Sequence, residues 1–197
     1  MSREVNVKFR DYDVYKLLIC GPGASGKTSL CRKITKNIFS YDYKPTVGVE
    51  FHSYEIKAEN GRSVVLFYDL AGQERFRILR KLLFPGTTVV GVVFDLSNRA
   101  SFREVATWIR DIRTINTDVE IVLIGNKVDK KREIDKKDAE KIAKRLGCRY
   151  LETSAVTGEG VIDMMKTLLK SAISYYRSSK QFISYANTQY KTTIISS

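Results

Sequence analysis

The chain has 197 residues, 43% of them hydrophobic and 28% charged, which suits one globular domain with its own core and leaves no comfortable room for a second. A net charge of +12 and a pI of about 9.6 point to anionic partners, whether nucleotide phosphates, nucleic acid or an acidic membrane surface. Cys20, Cys31 and Cys148 form no short-spaced pair, Met1 to Asp13 lacks an apolar leader core, Ser2 excludes N-myristoylation, and no run approaches the roughly 18 apolar residues of a spanning helix, so a reduced, cytoplasmic chain is expected.

Short apolar runs alternate with segments of helical period, the pattern of βα units around a mostly parallel sheet. Tyr15 to Cys20 reads as the first strand, followed by a Gly-rich turn and a helix over Lys27 to Lys36. Val49 to Lys57 and Val64 to Tyr68 read as an antiparallel pair joined by a turn at Asn60-Gly61. Val64 to Tyr68, Val89 to Phe94 and Ile121 to Ile124 are near-continuous β-branched and apolar runs, as central strands covered on both faces require. Ser101 with Glu104 reads as a capping box opening a helix through Phe102, Val105, Ile109 and Ile112. Asp135 caps a helix to Leu146, Arg149 to Leu151 is a short last strand, and Val161, Met165, Leu168 and Ala172 line a final helix ending near Tyr176. The expected organisation is an N-terminal extension over 1–13, one domain over 14–177 and a flexible, Ser/Thr/Tyr/Gln-rich tail over 178–197.

Gly21-Pro22-Gly23-Ala24-Ser25-Gly26-Lys27-Thr28 fits the phosphate-loop pattern and lies between a strand and a helix. Backbone N–H groups from Gly23, Ala24, Ser25 and Gly26 through Ser29 can curl around a phosphate at the positive end of the helix, Lys27 can reach the outer phosphates, and the Thr28 hydroxyl can ligate Mg²⁺. Asp69-Leu70-Ala71-Gly72-Gln73 follows a buried strand, so Asp69 stands at an edge where it can hold Mg²⁺ through water and Gly72 can offer an N–H to a terminal phosphate. Asn126-Lys127-Val128-Asp129 selects the base: a carboxylate accepts from the N1–H and exocyclic amine of guanine, donors that adenine does not present together, while the Lys127 stem can cover the ring.

With these motifs in order, the chain resembles the Ras superfamily of small GTPases, most closely its Rab-like and Ras-like members, over Tyr15 to Tyr176. The resemblance implies a three-layer phosphate-loop NTPase G domain of the α/β class, with about six strands, one of them antiparallel, and about five helices. It implies that Thr46 binds Mg²⁺ and holds the γ-phosphate, that Phe39 stacks on guanine, and that Ser154 and Ala155, followed by Val156, form the loop meeting the guanine oxygen. Gln73 matches the catalytic glutamine that orients the attacking water, acting with Lys27, Thr46 and Gly72. GTP/GDP and Mg²⁺ are the implied cofactors; effectors, exchange factors and GTPase-activating proteins are the implied partners, and Arg75 and Arg77 read as partner-facing rather than catalytic.

The chain also departs from that family. Val156 replaces a usual lysine, Tyr68 and Leu83 differ from the usual partners of Phe51 in the Rab aromatic triad, and no cysteine follows Cys148, so no prenyl anchor site is expected. Lys130-Lys131-Arg132 and the stripe Lys137, Lys141, Lys144, Arg145 read as a solvated face, with weak anionic-lipid contact as the alternative; nucleic-acid binding is not expected, and a monomer is. His52 reads as a surface residue and Trp108 as a packing or partly exposed one. Two rivals remain open at this level: a non-cycling GTP-binding scaffold module, and a phosphate-loop kinase.

Overall fold

A computed structural model of the chain describes residues 13–36, 48–58, 61–70 and 82–176. The expected positions Phe39, Thr46, Gly72 and Gln73, and the tail over 178–197, lie outside the described residues. The strands are β1 (Asp13–Cys20), β2 (Val49–Ala58), β3 (Gly61–Leu70), β4 (Val89–Asp95), β5 (Glu120–Asn126) and β6 (Arg149–Thr153). They form one sheet in the order β2-β3-β1-β4-β5-β6, in which only the β2–β3 pair is antiparallel. Among the described residues there are four helices: α1 (Lys27–Lys36), α2 (Arg99–Ile115), α3 (Lys136–Arg145) and α4 (161–176).

The apolar runs become central strands because both of their faces are covered. Leu17 and Ile19 of β1 pack with Leu30 of α1, Val65, Phe67, Val93, Ile124 and Leu168 of α4. Leu18 and Cys20 turn to the other face, against Phe94, Trp108, Ile109 and Ile112 of α2 and Ala139 of α3. This alternation gives three layers, with every residue of β4 buried. Trp108 is a packing residue at 2% exposure. No helix among the described residues is long and apolar enough to cross a membrane.

Three local readings change. Asn98, not Ser101, is the N-cap of α2: its side chain accepts from Ala100 and Ser101 N–H, while the Ser101 hydroxyl accepts from Asp95 N–H at 3.0 Å. Both residues are competent caps, and a tertiary contact to the end of β4 takes Ser101 out of that competition. Gly61 is already a strand residue paired with Ala58, so β3 begins three residues before the Val64 start read from the sequence. His52 is buried, because Glu50 and His52 share the face of β2 that looks toward α1, whereas Phe51 points outward onto Tyr68. Asp135 does cap α3, accepting from Lys137 N–H at 2.8 Å.

Candidate functional site

The parallel strands β3, β1, β4, β5 and β6 end along one edge, where the connections leaving the adjacent strands β1 and β4 run in opposite directions; open α/β sheets bind ligands at such a point. The loop after β1 turns there against β4. Gly21 has φ +130°, and a Cβ on it would stand 2.2 Å from the Val93 carbonyl oxygen, so only glycine fits. Gly26 has φ +91°, and its missing Cβ would fall 2.3 Å from Asn126 Nδ2. These two glycines let the phosphate loop lie close on β4 and on the end of β5.

Lys27 is buried and donates to the carbonyls of Gly21 at 3.0 Å and Pro22 at 2.6 Å, which places its ammonium across the loop. Burial pushes its pKa down, opposed by the attraction of Asp69. Ser25 is buried with its hydroxyl on Pro22 O, Gly23 and Ala24 are exposed, Gly26 and Ser29 are half-buried, and Ala24 takes φ +57°. The Thr28 hydroxyl donates to Asp69 Oδ2 from across the first-strand gap. Asp69 is fully buried near the end of β3, and burial raises its pKa against the lowering effects of Thr28 and Lys27. A hydroxyl and a carboxylate beside a lysine-spanned loop are hard oxygen donors that fit Mg²⁺.

On the far side, Asn126 ends β5 with its whole amide engaged: Nδ2 donates to Ser25 O at 2.8 Å, and Oδ1 accepts from the Thr153 hydroxyl at 3.1 Å and Ala155 N–H at 3.3 Å. One buried side chain thus joins the phosphate loop, β5, β6 and the loop after it. Lys127, at φ +68°, donates to Ala24 O at 2.7 Å and to Asp95 Oδ2 at 2.6 Å. Asp129 is exposed, and its Oδ1 accepts from the Ser154 hydroxyl, which in turn accepts from Thr157 N–H. Val156 is half-buried beside buried Ala155. The Ala155 N–H expected to meet guanine is directed at Asn126 here.

Asp95, Glu50 and His52 are site neighbours that the sequence reading missed. Asp95 ends a wholly buried strand just before Ser97, whose N–H and hydroxyl both donate to its Oδ1. A charged residue closing an apolar run beside a polar turn was the available signal. Burial alone would raise its pKa, but the hydrogen bonds from Lys127 and Ser97 outweigh that and hold it below the usual carboxylate range.

Comparison with known proteins adds an independent line. A model of the family described as "Ras family" matches residues 16–174. The Ras-related protein Rab-4 of Dictyostelium discoideum is 32% identical over 177 residues, covering 88% of this chain and 86% of that protein. The Ras-related protein Rab-8B of Homo sapiens is 33% identical over 170 residues, covering 85% of this chain and 82% of that protein.

Proposed function

The chain belongs to the Ras family of small GTPases, on its Rab-like side, and from that premise we propose that it is a switch that binds GTP or GDP with Mg²⁺, hydrolyses GTP slowly, and recruits effectors in the GTP state. The observation that supports this reading is the pair of hydrogen bonds from Asn126 to Ser25 O and from Lys127 to Ala24 O, which tie the segment here assigned to guanine to the phosphate loop. Neither rival accounts for that union. A kinase gains nothing from guanine selectivity, and a scaffold that does not cycle has no use for Gln73.

In this reading Asp129 accepts from the guanine N1–H and amine, with Ser154 fixing the carboxylate's orientation. Lys27 meets the outer phosphates together with the loop N–H groups from Gly23 to Ser29. Thr28, Thr46 and, through water, Asp69 would hold Mg²⁺, which when bound neutralises charge between the outer phosphates. Gln73 orients the attacking water and Gly72 donates to the γ-phosphate, so γ-phosphate loss would release the segments carrying Thr46 and Gln73. An arginine from a GTPase-activating partner would supply about 10³ to 10⁵ in rate. Partners and the basic surface are proposed contributors to any contact with a membrane.

Single-turnover hydrolysis tests the mechanism: Gln73→Leu should slow GTP cleavage by about 10²-fold with nucleotide affinity retained. An unchanged rate removes Gln73 from its role, and a requirement for any acceptor other than water returns the kinase reading.

A further inference from the structure

The antiparallel β2–β3 pair carries two groups, Glu50 and His52, that nucleotide binding does not use, beside Asp69, which it does. Glu50 lies directly opposite Asp69, and His52 opposite Phe67, so in an antiparallel pair all four share one sheet face. Phe67 belongs to the core cluster with Leu30 and Cys31 of α1, which makes this the inward face under the first helix. One carboxylate oxygen each from Glu50 and Asp69 and a ring nitrogen of His52 lie within 4.8 Å of one another. His52 Nε2 stands 3.6 Å from Glu50 Oε1. Asp69 is fully buried, and while its Oδ2 accepts from Thr28, its Oδ1 has no hydrogen-bond partner among the described residues. A buried carboxylate oxygen left in that condition costs free energy that a cation would recover.

The geometry points to a transition-metal site formed by Glu50, His52 and Asp69, distinct from the Mg²⁺ position on the Thr28 side of the same carboxylate. One imidazole nitrogen and two carboxylate oxygens are the donor set of Zn²⁺ or another borderline cation, and the nitrogen discriminates against Mg²⁺ and Ca²⁺. Three ligands on two hydrogen-bonded strands are held at nearly the required spacing; bond lengths of about 2.0–2.2 Å need the donors to close in by several tenths of an ångström to about 1 Å. Glu50 is already oriented from outside, with both oxygens accepting from Arg32 at 3.1 and 3.2 Å. Arg32 also opposes a cation by its charge. Its side chain is 43% exposed, so it can swing into water while Glu50 keeps one oxygen for the metal. A bound ion would tie the start of β2, immediately after Gly48, to the end of β3 through side chains as well as through the strand ladder.

The chain contains a single histidine, which makes the test specific. The full-length protein, isotope-labelled and kept in excess Mg²⁺, is titrated with Zn²⁺ while the His52 imidazole resonances are followed by NMR. The expected result is a saturable shift complete at one Zn²⁺ per chain, with Glu50→Gln weakening the midpoint by about 10- to 100-fold and the histidine signal still visible. Imidazole resonances that stay unchanged in the wild-type protein through stoichiometric Zn²⁺ overturn the site, and so does an unaltered midpoint in folded Glu50→Gln. Guanine nucleotide binding is read separately on the same samples, so the metal site and the switch can fail independently.

Discussion

The two ends of the binding edge are built on opposite principles. At the β5–β6 end, the protein's own hydrogen bonds fix each group that would meet the base: Asn126 is fully engaged, Lys127 is held by Ala24 and Asp95, and Asp129 is oriented by Ser154. At the β1–β3 end, burial drives Lys27 and Asp69 toward their neutral forms, and Asp69 keeps an oxygen without a hydrogen bond among the described residues. The base half is prepaid in structure, whereas the phosphate half concentrates charge that an anion over Lys27 and a cation beside Asp69 would stabilise. In the proposed switch, specificity would then belong to one end and the response to ligand state to the other.

The largest expected effect comes from cutting the base half at its recognition group. Asp129→Ala removes two charge-assisted hydrogen bonds, each about 1.5–3 kcal/mol, so GDP affinity should fall by roughly 10²- to 10⁴-fold. The informative measurement is the ratio of guanine to hypoxanthine nucleotide affinities, which differ by the exocyclic amine. That ratio should exceed tenfold in the wild type and collapse toward one in the variant; a preserved ratio would move guanine selection away from Asp129.

The second test strikes the joint between the halves. Gly26→Ala forces φ +91° on a residue with a Cβ and drives that Cβ into Asn126 Nδ2. Strain and a displaced amide together should cost about 2–3 kcal/mol in denaturant unfolding and weaken nucleotide binding as well. If stability falls while binding holds, the Asn126–Ser25 link is structural only, and the two ends do not share it functionally.

A smaller effect, with a pH signature, is expected at Asp95. Because its folded pKa lies below the ordinary carboxylate value of about 4, its contribution is fully present above that value and is lost as pH falls through the folded pKa. Asp95→Asn should therefore destabilise by about 1–2 kcal/mol at neutral pH, with the difference between variant and wild type shrinking on acidification. A difference independent of pH would mean that Asp95 acts by shape rather than by charge on Lys127.

Asp95 also marks where sequence reading stops. Motif residues are legible because ligand chemistry fixes their type and spacing, and central strands are legible because burial on both faces leaves an apolar run, as in Val89 to Phe94. The supports of the site are not, since each depends on a partner remote in sequence. Asp95 meets Lys127 across two adjacent strands, 32 positions away. Ser101 and Asn98 are equivalent as caps until the Asp95 N–H claims one of them. His52 is one step from an exposed neighbour, so its burial follows from the β2–β3 register alone.

The smallest effect gives the sharpest check on the contrast between the ends. Val156 follows buried Ala155 at the rim of the base half, where the family resemblance places a lysine. If the base half is already held by the Asn126, Lys127 and Ser154 contacts, then Val156→Lys adds only a partly solvated stem along the ring and one more positive charge on a chain of +12. GDP release should slow by no more than about threefold, or roughly 0.6 kcal/mol, and added salt should erase the part due to charge. A tenfold slowing that survives salt would mean that a single rim side chain organises the base site, and that the order seen at the β5–β6 end is not what holds the nucleotide.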